Sequence, residues 1–249
     1  MTSSLLGSED LARFSIAPET LSPGDWDFSL VPIPDKANDD GDDSDLVCIG
    51  ADLEPATLVS AYSNGFFPMH VGPRRREIGW FSPDPRGVIP IGGLHVSRSL
   101  RKHTKRFRCT VDRAFERVMR ECGDERRPHG WIDDIFVDAY SEMNRLGWAH
   151  SVEVWRDDEL VGGLYGVRIG RFFAGESMFH RVTDASKVAL VTTMDALISL
   201  DFSLFDVQWT TPHLTSMGAV DLPRSTYLES VRRAVDPVQR GNLPASPTD

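Results

Sequence analysis

The sequence predicts an α+β fold built on a mixed, mostly antiparallel sheet flanked by helices. Three observations point there. Residues 151–179 read as three successive strands, Ser151–Trp155, Leu160–Val167 and Phe172–Phe179, joined by the polar turn Arg156-Asp-Asp-Glu159 and the tight turn Ile169-Gly-Arg171. Connections that short pair strands antiparallel. Helical periodicity lies on both sides of this block, and 249 residues suit one large domain or one domain with a small partner.

Taken in order, residues 1–45 are rich in Ser, Pro, Asp and Gly and read as loop-like or poorly ordered. Asp35, Asp39, Asp40, Asp42, Asp43 and Asp45 make a flexible acidic segment of its end. They lack the ordered ligand spacing and terminal Glu of a calcium loop. A short helix runs from Asp52 to Gly65, with Pro55 near its first turn and Leu58, Val59 and Tyr62 on its apolar face. Gly and Pro punctuate residues 66–95, which read as loops and short strands. Helices follow near 112–121 (Phe115, Val118, Met119) and 133–146 (Ile135, Phe136, Ala139, Tyr140, Met143), each with a Gly beyond its end. After the three strands, Asp184 is the expected cap of a long apolar helix to Leu200. Phe202–Trp209 alternates like a strand, Ser225–Ala234 is a last short helix, and Asp236–Asp249 reads as a frayed tail.

Composition excludes several classes. Apolar residues make 41% of the chain and charged ones 26%, values of a globular protein. No apolar run approaches the ~20 residues of a membrane span, and the N-terminus lacks the basic and apolar regions of a secretory signal. Three cysteines, Cys48, Cys109 and Cys122, without C-x-x-C spacing argue against a disulfide framework and a Cys-based zinc site. A cytoplasmic protein is expected. The net charge of −10 argues against nucleic acid, but its distribution does not. Between Pro73 and Arg108 ten basic residues face only Glu77 and Asp84, a local +8. Any single Arg there is most simply a solvated or paired surface charge. The two clusters, Arg74-Arg75-Arg76 and Arg98 to Arg108 (with Arg101, Lys102 and Lys105), are candidates for holding a phosphate backbone.

Two constellations carry chemistry. Gly175-Glu-Ser-Met-Phe-His-Arg181 ends a strand ahead of a helix, so Glu176 stands where ligands commonly bind. The plainer reading pairs Glu176 with Arg181 or Lys187 and puts Met178 and Phe179 in the core. In Asp206-Val-Gln208, residues two apart on a strand share a face. On so apolar a strand that face is buried or lines a pocket, and an unpaired carboxylate there is very costly. Either the two groups and nearby backbone satisfy each other, or a ligand does. Trp80, Trp131, Trp148 and Trp209 are candidate stacking surfaces for bases, though each alone is more often packing. There is no G-x-S-x-G, Walker or H-E-x-x-H motif, and the histidines lack metal spacing.

Nine segments, in order from residue 46 to about 235, resemble the bacterial leucyl/phenylalanyl-tRNA–protein transferase family. They are Leu46–Leu53, Ala61–Pro68, Trp80–Arg86, Leu94–Ser99, Gly130–Ile132, Ala149–Trp155, Leu160–Val167, Gly175–Phe179 and Asp184–Lys187. The resemblance implies a small N-terminal domain (1–82), an acetyltransferase-like (GNAT) catalytic domain (83–236) and a tail (237–249). It implies transfer of Leu or Phe, and Met less well, from aminoacyl-tRNA to the N-terminal Arg or Lys of acceptor proteins, marking them for degradation. The family's catalytic pair falls on Asp206 and Gln208 and its pocket Glu on Glu176, with Ser177 beside it. Its apolar donor pocket falls on Leu164, Phe173 and Met178, and its adenosine contacts on Trp131 and Tyr62. Met69, His180, Leu164 and Val207 depart from the residues usual in the family.

An aminoacyl ester is already activated, so no cofactor and no metal is expected; a monomer without membrane contact is the expected state. Rival readings are a tRNA- or degron-binding adaptor without transfer activity, and an acyl-CoA-dependent N-acyltransferase. The second would need a glycine-rich pyrophosphate loop, which the sequence lacks.

Overall fold

A computed structural model describes residues 5–33, 45–72, 77–124 and 132–242, with side chains described up to residue 236. A seven-stranded sheet dominates it, in the order β10-β4-β9-β8-β7-β6-β5. These strands are β4 (Arg86–Ile89), β5 (Arg108–Val111), β6 (Ala149–Arg156), β7 (Glu159–Ile169), β8 (Phe172–His180), β9 (Leu204–Gln208) and β10 (Val220–Leu222). All neighbours pair antiparallel except β8 and β9, which are parallel. Thus the mixed, mostly antiparallel sheet expected from sequence is present. A second sheet of three strands, β1 (Leu46–Ile49), β3 (Glu77–Phe81) and β2 (Phe67–Val71), holds the buried Trp80, whose Nε1 donates to Gly50 O at 2.8 Å.

Helices cover both faces of the large sheet. On one side lie α2 (Pro55–Ser63), α4 (Phe115–Cys122), α5 (Asp134–Arg145) and α8 (Arg224–Asn242), packed on Tyr165, Phe172, Ala174 and Leu204. On the other lies α6 (Ala185–Ser199), buried along most of its length against Leu164, Phe173 and Phe205. With it go α1 (Ser8–Ser15) and α3 (Arg98–Thr104), through Phe14 and Leu100. A short helix, α7 (Pro212–Ser216), links β9 to β10. Among the described residues no helix is long and apolar enough to cross a membrane.

Local chemistry explains most boundaries. Pro55 opens α2, and Asp133 accepts Phe136 N to cap α5. Three expectations need correction. The N-terminal segment is not loop-like throughout: α1 buries Phe14 completely, and a 3-10 turn at Phe28–Leu30 buries Phe28. Asp184 does not cap α6; at φ +70° its carboxylate turns to His103 Nδ1 (2.7 Å) and Lys187 Nζ (3.2 Å) instead. Helix α8 also runs on past Ala234 to Asn242. Of the acidic segment, residues 34–44 lie outside the described ones, and Asp45 accepts Trp209 Nε1 at 2.7 Å.

Candidate active site

The site is a consequence of one interrupted strand pair. β8 and β9 pair only from Phe172–Leu204 to Ala174–Asp206. Both strands continue, β8 to His180 and β9 to Gln208, but no longer bonded to each other. Each carries a bulge where they part. Ser177 and Gly175 oppose Tyr165 and Gly166, which leaves Glu176 as the extra residue of β8. Asp206 and Gln208 oppose Val88 and Gly87, which leaves Val207 as the extra residue of β9. Bulges re-aim side chains and increase local twist. Opposite the first bulge only glycine fits, since a Cβ on Gly166 would lie 2.1 Å from Ala174 O. At the second, Gln208 adopts φ +59°, a left-handed conformation that costs an ordinary residue about 1–3 kcal/mol.

Asp206 is fully buried, on the same sheet face as Gln208, as the strand alternation predicts. Its Oδ1 accepts Arg86 Nε (2.8 Å) and Gln208 N (2.9 Å), and its Oδ2 accepts Arg86 Nη2 (2.6 Å) and Tyr227 Oη (2.8 Å). All four sites of the carboxylate are therefore filled by protein. Burial opposes the charge on Arg86, but Asp206 more than offsets it and the guanidinium is held protonated. Arg86 lies between the rings of Phe67 (4.7 Å) and Tyr227 (4.5 Å). Its Nη1 donates to Gly65 O at 3.1 Å, at the end of α2, where φ +85° calls for glycine. The Asp206–Gln208 N bond holds Gln208 in its strained conformation.

Glu176 lies beside this pair with far fewer partners. Its Oε1 accepts Gln208 Nε2 at 3.1 Å, and it hydrogen-bonds Tyr62. Tyr62 Oη in turn lies 2.5 Å from Tyr140 Oη. The chain has four tyrosines, and all four, Tyr62, Tyr140, Tyr165 and Tyr227, are buried around Glu176 and Asp206. Tyr165 Oη has no hydrogen-bond partner among the described residues. Burial, which the Tyr62 bond opposes and Asp206 reinforces, pushes the Glu176 carboxyl up to about 8. Burial and the neighbouring Glu176 push the phenols of Tyr62, Tyr140 and Tyr165 well above their ordinary value.

The remaining sequence candidates divide. Leu164 and Phe173 are buried and Met178 is half-buried on the opposite, α6 face, with Leu164 and Met178 paired across β7 and β8. Ser177 is half-buried opposite Tyr165. Trp131, Arg74, Arg75 and Arg76 lie outside the described residues. Arg98, Arg101 and Lys102 on α3, with Lys105 just after it, are exposed, and no carboxylate among the described residues pairs with them. Arg86 leaves the basic surface that the sequence count gave it, because it is fully buried beside Asp206. Trp80 and Trp148 are core residues, not open stacking surfaces. Glu176 pairs with neither Arg181, which binds Glu121, nor Lys187, which binds Asp184. Sequence reasoning missed Arg86, Tyr227 and Tyr140. An Arg inside the apolar run Pro85–Ile89 was the available signal, since it demands a buried countercharge.

The model of the leucyl/phenylalanyl-tRNA protein transferase family matches residues 88–232, and that of its N-terminal domain matches residues 51–84. This chain belongs to the leucyl/phenylalanyl-tRNA protein transferase family. The transferase of Tolumonas auensis is 47% identical over 190 residues, 75% of this chain and 80% of the relative. That of Anaeromyxobacter sp. (strain K) is 45% identical over 216 residues, 84% and 90% of the two chains. Glu176, Asp206 and Gln208 all lie within the span that the transferase family model matches.

Proposed function

We propose that this protein moves Leu or Phe, and Met less well, from aminoacyl-tRNA to the N-terminal Arg or Lys of acceptor proteins, marking them for degradation. The observation that carries this is the convergence of Glu176, Gln208 and Tyr62 where β8 and β9 part, in a chain of this family. The parted parallel pair also supports an acetyltransferase-like fold for residues 83–236, preceded by a small N-terminal domain, residues 1–82, that includes the three-stranded sheet. The cytoplasm is the proposed location.

The gap joins two faces of different chemistry. The donor's side chain enters the apolar face of Leu164, Phe173 and Met178, while its ester stays on the polar face with Glu176 and Gln208. A side chain unbranched at Cβ suits entry between two strands. The terminal adenosine packs near Tyr62 and Trp131, and the exposed cations of α3 hold acceptor-stem phosphates. Holding ester and amine together supplies several kcal/mol. The Gln208 amide, fixed by Asp206 and Glu176, donates to the oxyanion, an interaction worth roughly 3–4 kcal/mol.

The test is a transfer assay with Leu-, Phe- and Ile-charged tRNA and peptides starting with Arg, Lys or Glu, read by peptide mass. Leu and Phe should pass to the Arg and Lys peptides, with little Ile and no transfer to Glu. Equal transfer of Ile and Leu contradicts the pocket; binding of tRNA without transfer supports the adaptor reading. Transfer from acyl-CoA supports the third.

A further inference from the structure

We propose that Glu176 is the base that takes the proton from the acceptor's α-ammonium, and that Asp206 is a positioning residue, locked by Arg86 and Tyr227, which never touches substrate. The inference rests on the transferase reading above.

The lone pairs of the two carboxylates separate their roles. Asp206 has no free acceptor site: Arg86 takes two, Tyr227 one and Gln208 N one. To accept a proton from substrate it would have to release a bond to a buried guanidinium, stranding that charge. Nothing solvent-exposed reaches it, for Asp206 and Arg86 are both fully buried. Glu176 is the other carboxylate of the cluster. It is only half-buried, is bonded to no cation among the described residues, and keeps acceptor capacity beyond its bonds to Tyr62 and Gln208. It sits on the bulge that borders the gap, where the ester is to lie.

The groups that face Glu176 do not compete for the proton. Tyr62 from α2, Tyr140 from α5 and Tyr165 from β7 stay neutral phenols, as does Tyr227 from α8 beside Asp206. Arg86 from β4 stays charged. An α-ammonium titrates at about 7.7–8.0, and the Glu176 carboxyl, pushed up to about 8, matches it. Proton transfer between matched groups is nearly thermoneutral, the condition under which a general base works well.

The step balances. Ionised Glu176 takes one proton from the ammonium, and the freed nitrogen attacks the ester carbonyl. The C–N bond forms and the carbonyl π pair moves to the oxyanion that faces the Gln208 amide. When the carbonyl re-forms, the C–O bond to the tRNA ribose breaks, and the ribose oxygen takes the second amine proton. The proton left on Glu176 goes to solvent.

The test is chemical rescue in single-turnover transfer of Leu from charged tRNA to an Arg-starting peptide. Glu176→Ala should lose at least ~10²-fold in rate, with tRNA affinity within a few-fold of wild type. Formate and acetate should restore the rate in proportion to the ionised carboxylate, acetate more than formate, as basicity requires. Asp206→Ala should be slow and unrescued. Because that variant strands Arg86, the paired variant Arg86→Met with Asp206→Leu is run beside it, and it too should be slow and unrescued. Rescue of either Asp206 variant, or Glu176→Ala within ~3-fold of wild type, overturns the assignment. Failure of the wild type to transfer any Leu overturns the functional reading instead.

Discussion

Glu153, fully buried on β6, and Glu176, half-buried on β8, sit two strands apart in the same sheet and differ in how their hydrogen bonds close. Glu153, on β6, accepts Ser151 Oγ (2.5 Å) and Ala114 N (3.4 Å) on one oxygen, and Thr110 Oγ1 and Arg113 N on the other. It serves the start of α4, where Ala114 offers no side-chain cap. Beside it, Asp112 accepts His150 Nδ1 and Ser151 N. Burial raises the Glu153 carboxyl just as it raises that of Glu176. Yet one network fills both oxygens of its carboxylate, whereas the other stops where two strands part. A shifted carboxyl marks burial; unfilled acceptor sites beside an opening mark a place for a ligand.

Activity separates the two most sharply. Gln208→Ala and Glu176→Gln should each lower the transfer rate by at least ~10²-fold while the proteins stay folded. Glu153→Gln should leave the rate of the folded fraction within a few-fold. A large rate loss in Glu153→Gln with unchanged melting would remove the distinction.

Stability should run the other way. Arg86→Met leaves Asp206 unpaired in the core and should cost about 3–5 kcal/mol in denaturant titration. Glu153→Ala leaves Ser151, Thr110 and two backbone N–H groups short of an acceptor and should cost about 1–3 kcal/mol. Tyr62→Phe, which removes its bonds to Glu176 and Tyr140, should cost less than Arg86→Met.

A smaller effect reads out the Glu176 carboxyl directly. Its folded value lies near 8, above the ordinary 4.5. Between those values the folded state binds more protons than the unfolded one, so its contribution to stability declines as pH rises from about 4.5 to 8. Glu176→Gln lacks that decline. Its melting temperature relative to wild type should therefore climb across the window and level off above pH 8. A flat difference would mean that the carboxyl is not raised.

The smallest effect concerns the outer surface. Removing Arg98, Arg101 and Lys102 together should flatten the log–log salt dependence of tRNA binding, by about 0.9 for each duplex phosphate that is no longer neutralised. An unchanged slope would make α3 a solvated face.

Much of this was legible in the chain. The strands over 149–180 follow from alternation broken at Asp157-Asp158 and Gly170, and α6 follows from its unbroken apolar run. That Asp206 and Gln208 share a face was also legible, though through a less regular backbone than a plain strand: the Val207 bulge and the left-handed Gln208 together preserve it. The parting of β8 from β9 was not legible, because a bulge adds one residue without changing composition. Helix α1 was hidden by a polar stretch: among the described residues 5–15 only Leu6 and Phe14 are buried. Arg86 was counted with the surface charge because its counterion lies 120 residues away in sequence.

The central claim is that aminoacyl transfer takes place where β8 and β9 part. Its most direct test is single-turnover transfer of Leu from charged tRNA to an Arg-starting peptide by wild type, Gln208→Ala and Glu153→Gln, read as the mass of one added leucyl residue. The account predicts product with wild type and Glu153→Gln at rates within a few-fold of each other, and at least ~10²-fold slower product with Gln208→Ala. Equal rates for Gln208→Ala and wild type would contradict it.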